Sequence, residues 1–103
     1  MLCGSVQAEA ATGFLQDVPV GDWSYDAINK LIATGNVTDY KVAIPQDRIM
    51  SRMEMAMVVD DAMQNIKAFT PDEQNTIQKL DTEYYYDIKK VQLLQQQFEL
   101  EIH

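Results

Sequence analysis

The chain has 103 residues, a net charge of −8 and 47% apolar residues. That length holds one small domain with an extension, and the apolar share excludes compositional disorder. The acidic balance, with no basic stripe, excludes recognition of a nucleic-acid phosphate backbone, and no stretch approaches the roughly 18 apolar residues a bilayer-spanning helix needs.

Residues 1–13, "MLCGSVQAEAATG", are small and weakly apolar, and Ala8-Glu9-Ala10 resembles the site at which a secretory signal is cut. The segment reads as a signal-peptide remnant, with a disordered arm as the alternative. Cys3 is the sole cysteine, so no internal disulfide can form, and Leu2 directly before it is a poor fit to a lipid-attachment signal. A Pro/Gly-containing lead-in, "FLQDVPVG", offers Phe14 and Val18 as packing residues. A first helix is expected after Asp22, whose carboxylate suits an N-cap. Trp23, Ala27, Ile28, Leu31 and Ile32 then recur at helical spacing, and Gly35 supplies the left-handed cap. In residues 36–50, Val37, Tyr40, Val42 and Ile44 alternate like a strand until Pro45 interrupts them, which predicts an ordered loop.

A second helix opens at Ser51, with Ser51 and Glu54 at capping-box spacing. Met55, Val58, Val59, Ala62 and Ile66 form one buried stripe, which makes Met55 a core residue rather than part of a methionine-rich docking surface. Asp60 and Asp61 fall off that stripe and are expected in solvent. A third helix opens at Thr70-Pro71-Asp72-Glu73, where cap, N1 proline and first-turn acids coincide. No Gly or Pro follows, so residues 71 to about 101 are expected to run as one helix roughly 45 Å long. Ile77, Tyr84, Val91 and Phe98 stand at every seventh position, with Leu80 and Leu94 in the partner row and Asp87 and Glu101 interrupting it. This pattern predicts a coiled coil buried by self-association. Tyr85 and Tyr86 lie off the stripe, where they would be exposed and available to a neighbouring chain or, less favourably, to a glycan.

The expected fold class is therefore all-α: a small domain of two main helices and an ordered loop over 14–66, followed by a coiled-coil stalk over 70–103. The single histidine, His103, leaves no His-based triad, one Cys and one His cannot build a zinc site, and there is no Gly-rich phosphate loop. A binding or structural module is expected rather than an enzyme, with no cofactor and no metal.

Three motifs in order, "FLQDVP" (Phe14 to Pro19), "DWSYDAINKLIATGNVTDY" (Asp22 to Tyr40) and "QDRIMSRMEMAMVV" (Gln46 to Val59), resemble a surface-layer homology (SLH) domain over residues 14–66. The family pattern has an F-x-D-V-P lead-in, W-A-Y-x-A-I-x-x-L, a G-x-V-x-G-Y turn and a helix announced by T-R-A-E, whose place is taken here by Ser51-Arg52-Met53-Glu54. The chain departs from it at Asp39, where the family has glycine, and at Lys41-Val42-Ala43-Ile44, where the family has D-G-T-F. A single repeat followed by a stalk resembles the N-terminal part of OmpM-type porins, and "KLDTEYYYDI" (Lys79 to Ile88) resembles, more weakly, the start of the stalk in that group.

The resemblance implies non-covalent binding of peptidoglycan, with a polyamine-decorated form among the candidates, or of a secondary cell-wall polymer. It implies a periplasmic, envelope-associated homotrimer joined through the SLH domain and the stalk. It also implies tethering of the outer membrane to the wall through a β-barrel not present in this chain. A domain this small gains stability when copies cover its flanks, and symmetric interfaces would give equivalent grooves and avidity. The alternative is a coiled-coil scaffold or adaptor for another envelope protein.

Arg52 is the first candidate ligand residue. A cation gains nothing from the dipole in a helix's first turn, and beside free amides it makes an anion site. By the resemblance it contacts wall glycan, and a surface salt bridge to Asp47 or Glu54 is the plainer role. Trp23 is a sugar-stacking platform or a core plug. Ser51 is chiefly a cap. Asp22 and Asp39 would suit a polyamine cation, although capping suits Asp22 better. Tyr40 is a groove wall or a core residue.

Overall fold

The structure, a computed structural model, describes residues 13–45 and 47–102, without the side chains of 99–102. Residues 1–12 with Cys3, on which the signal-remnant expectation falls, as well as Gln46, His103 and the side chain of Glu101, lie outside the described residues.

Asp22 starts the first helix as its chemistry suggests, its Oδ2 accepting the Ser24 amide at 3.0 Å. The helix, α1, spans Trp23–Ala33, and the chain leaves it through Gly35 at φ +81°, a conformation glycine adopts without strain. Its buried face holds Tyr25, Ile28, Leu31 and Ile32. Trp23, expected on that face, is instead 46% exposed, and Ser24 and Tyr25 turn inward in its place.

The all-α expectation is corrected by a small antiparallel pair, β1 (Asp17–Val18) and β2 (Met50–Ser51), in the register Asp17 to Ser51 and Val18 to Met50. Two-residue strands are too short to leave an alternation in the sequence. They are joined by the Tyr25 hydroxyl, which donates to the Val18 carbonyl (2.8 Å) and accepts the Met50 amide (2.9 Å). The second main helix, α2 (Arg52–Gln64), starts with both bonds of the Ser51–Glu54 capping box in place, each 3.1 Å. It buries Met55, Val58, Val59 and Ala62 as the stripe requires. It stops before Ile66, which lies half-buried in a 3-10 turn, Ile66–Ala68.

The Thr70–Glu73 capping box also forms, with Pro71 at its first helical position. The helix it starts, α3, spans only Pro71–Glu83. After Tyr84 (φ −107°, ψ 22°) a separate helix, α4, runs over Tyr85–Ile102. The expected coiled-coil stalk is thus overturned. Ile77, Leu80, Tyr84, Ile88 and Val91 join Val18, Ile28, Met55 and Val59 in one core. A sevenfold apolar repeat shows that a helix face is buried; it does not show against what. Each large apolar side chain covered contributes roughly 1.5–3 kcal/mol, so the chain's own α1 and α2 suffice to draw this face in. The break costs little, because the Tyr84 amide still reaches the Leu80 carbonyl (2.9 Å) and the Ile88 amide the Tyr84 carbonyl (2.8 Å). Between Ile77 and Val91 the stripe therefore supplies no argument for self-association. Among the described residues no helix is long and apolar enough to cross a membrane.

Candidate functional site

The loop before β2 is ordered by side chains that imitate backbone. Asn29 donates to the Ile44 carbonyl (2.9 Å) and accepts its amide (2.8 Å). Asp61, expected in solvent, grips the loop from α2, its two oxygens accepting the Thr38 (2.8 Å) and Asp39 (2.9 Å) amides. Asp60, also expected in solvent, is only 4% exposed, capped by the side-chain amides of Gln64 and Gln92, each at 3.0 Å. Gln92 belongs to α4, so the folding-back of that helix is what buries Asp60.

Arg52 sits at the break between α3 and α4. Its Nε donates to Asp87 Oδ2 (3.0 Å), Nη1 to Glu83 Oε2 (3.3 Å) and Nη2 to the Glu83 backbone carbonyl (2.8 Å). Its guanidinium carbon lies 4.5 Å from the centre of the Tyr84 ring. The salt bridge expected to Asp47 or Glu54 is replaced by these partners, and Glu54 pairs with Arg48 at 2.9 Å. The free amides imagined beside Arg52 are also in use: its own reaches the Gln16 carbonyl (2.8 Å), and that of Glu54 reaches Ser51. Burial opposes the Arg52 charge, but the hydrogen bond and field of Asp87, aided by Glu83, outweigh it and hold the group above its ordinary range. Beneath it, the Tyr84 hydroxyl donates to Ser24 Oγ at 2.7 Å. Burial pushes the Tyr84 hydroxyl up to about 12; the Ser24 hydrogen bond and Arg52 pull it down, while Asp22 and Glu83 add to the rise.

Trp23 lies beside this network. Its indole borders an open depression of about 690 Å³ that is otherwise lined by Lys79, Thr82 and Glu83. Glu83 is therefore shared between the Arg52 network and the rim of the Trp23 surface. Asp22 and Ser51 act as caps close by in sequence. Asp39 and Tyr40 belong elsewhere, lining a second depression of about 820 Å³ with residues of α2 and α4. There the Tyr40 hydroxyl is raised by burial and then by the fields of Asp61, Asp39 and Glu54, against a smaller pull from Arg48. The six candidate residues thus do not converge on one site.

Sequence reasoning missed Lys79, Thr82 and Glu83 as rim residues because they belong to the helix taken for a stalk. Asp87 did leave a signal: a carboxylate interrupting an apolar row marks a place where the row meets a cation. No group of three or more potential metal-ligating side chains is assembled among the described residues. Compared with known proteins, the chain matches no family model and no curated relative.

Proposed function

We propose that the chain is a non-covalent wall-glycan-binding module of the cell envelope, with the Trp23 surface as its sugar platform. The observation that carries this reading is the exposed indole at the N-terminus of α1, rimmed by Lys79, Thr82 and Glu83. A pyranose presents an apolar face of C–H groups and an edge of hydroxyls, which match a flat aromatic ring and a rim holding a cation, a hydroxyl and a carboxylate. The SLH-like motifs support the same ligand class. In this reading Arg52 positions rather than binds: by holding Glu83 and closing the helix break, it fixes the rim against Trp23. A polyamine-decorated peptidoglycan suits the rim, because an ammonium pairs with the Glu83 carboxylate. Tethering of an outer membrane to the wall would follow where such a module is joined to a membrane-embedded part.

Co-sedimentation with purified sacculi tests the proposal. The chain is expected to pellet, and Trp23→Ala to lose about tenfold in apparent affinity, roughly 1.4 kcal/mol, while keeping its melting temperature. Equal pelleting of Trp23→Ala, or no pelleting of the unaltered chain, would overturn it.

A further inference from the structure

The second depression has a chemistry unlike that of the Trp23 surface. Its floor is two apolar ridges at helical spacing: Met53 and Met57 on α2, and Val91, Leu94 and Phe98 on α4. Met57, Leu94 and Phe98 are well exposed, Phe98 at 64%. Two facing helices with an unfilled apolar seam leave room for a third, and ridges at i, i+4 and at i, i+3, i+7 are the complement of a helix face. The lip is acidic. Asp39 and Asp61 stand on it, Asp60 lies below it with side-chain amides as its partners, and among the described residues no Lys or Arg lines the depression.

Charge decides among occupants. A second copy of this chain would carry a net charge of −8 to an acidic lip and be repelled. An anionic lipid surface would be repelled for the same reason. We infer that this groove docks a basic amphipathic helix of another protein, its leucine-type face laid between α2 and α4 and its lysines or arginines against the acidic lip. From Val91 to Phe98 the ridge extends about 10 Å, so the seam takes a helix of about two turns. Methionines suit such a floor because unbranched thioethers adapt to the side chains laid on them.

The test is fluorescence anisotropy with the full chain and three labelled peptides: an amphipathic Leu/Lys helix, the same design with Glu for Lys, and a scrambled Leu/Lys order. The Leu/Lys helix should bind, at least about tenfold more tightly than either control, and should weaken as salt rises through the range that shortens the Debye length below about 8 Å. Met57→Glu and Phe98→Glu should each lose about tenfold, whereas Tyr86→Ala, at a residue outside the groove lining, should bind unchanged. Both altered groove residues are exposed, and circular dichroism melting verifies that each variant folds. Equal binding of the Lys and Glu helices, or undiminished binding by both groove variants, would overturn the inference. So would concentration-dependent self-association that Phe98→Glu abolishes while the peptide fails to bind, which would assign the groove to a second copy. Sacculus pelleting by Phe98→Glu reports separately on the Trp23 surface, so failure of one proposal does not mimic failure of the other.

Discussion

Tyr84 and Phe98 stand two heptads apart on one apolar stripe, yet Tyr84 is 1% exposed and Phe98 is 64% exposed. The difference lies in what is opposite them. Tyr84 rests on α1 and α2, its ring under the Arg52 guanidinium and its hydroxyl on Ser24. Phe98 lies near the far end of α4, where it lines the open depression shared with Met53 and Met57 of α2. A repeat in sequence assigns a face, and what packs opposite each position decides how much of that face is covered.

The strongest challenge to this contrast is Tyr84→Ala. It removes a buried ring, the Ser24 hydrogen bond and the surface beneath Arg52, so unfolding in urea should show a loss of about 3–5 kcal/mol. A loss under 1 kcal/mol would mean that the break is not anchored there. Arg52→Ala comes next, at about 2–3 kcal/mol, because it strands the largely buried Asp87 carboxylate and deprives the Glu83 carbonyl of its donor. Arg52→Lys should recover less than half of that, since one ammonium cannot span both carboxylates and the carbonyl while stacking on Tyr84. Full recovery by lysine would reduce the network to a simple charge pair.

Alkaline titration probes the same anchor more gently. The Tyr84 hydroxyl is raised from 10.0 in the unfolded chain to about 12 in the fold, so the folded state holds its proton more tightly. The stability this contributes is fully present below pH 10 and is lost as pH rises from there through about 12, by an amount on the order of 2 kcal/mol. Tyr84→Phe should start lower, by about 1 kcal/mol for the missing Ser24 bond, and decline less steeply over that window. Parallel melting curves for the two proteins from pH 9 to pH 12 would place the titrating group elsewhere.

The parts of the fold legible in the sequence were those written in local chemistry. Asp22, Ser51 with Glu54, and Thr70 with Glu73 are caps whose partners lie within three residues, and each forms as read. What was not legible depended on distant neighbours. The pairing of Val18 with Met50, the gripping of the Thr38 and Asp39 amides by Asp61, and the capture of Asp87 by Arg52 all join residues at least 22 positions apart. The helix break at Tyr84 has the same origin. No residue type forbids a continuous helix there, and the turn is stabilised by packing and by Arg52. The site suffered accordingly: Arg52 and Trp23 were singled out from their motifs, but Glu83, which connects them, sat in the segment read as a stalk.

The mildest expected effect falls on the far end of the stripe. Phe98→Ala removes a phenyl ring that is mostly in water already, so little apolar area returns to solvent on unfolding. Its side chain also fills no closed space, so no cavity term is added. The change in unfolding free energy should stay within about 0.5 kcal/mol, against several for Tyr84→Ala on the same stripe. A loss above about 2 kcal/mol would mean that Phe98 is covered in solution. A groove held open for a partner and a groove filled by the chain itself differ in this one measurement. A near-neutral Phe98→Ala that still abolishes peptide docking would assign the exposed end of the stripe to binding and the covered end to stability.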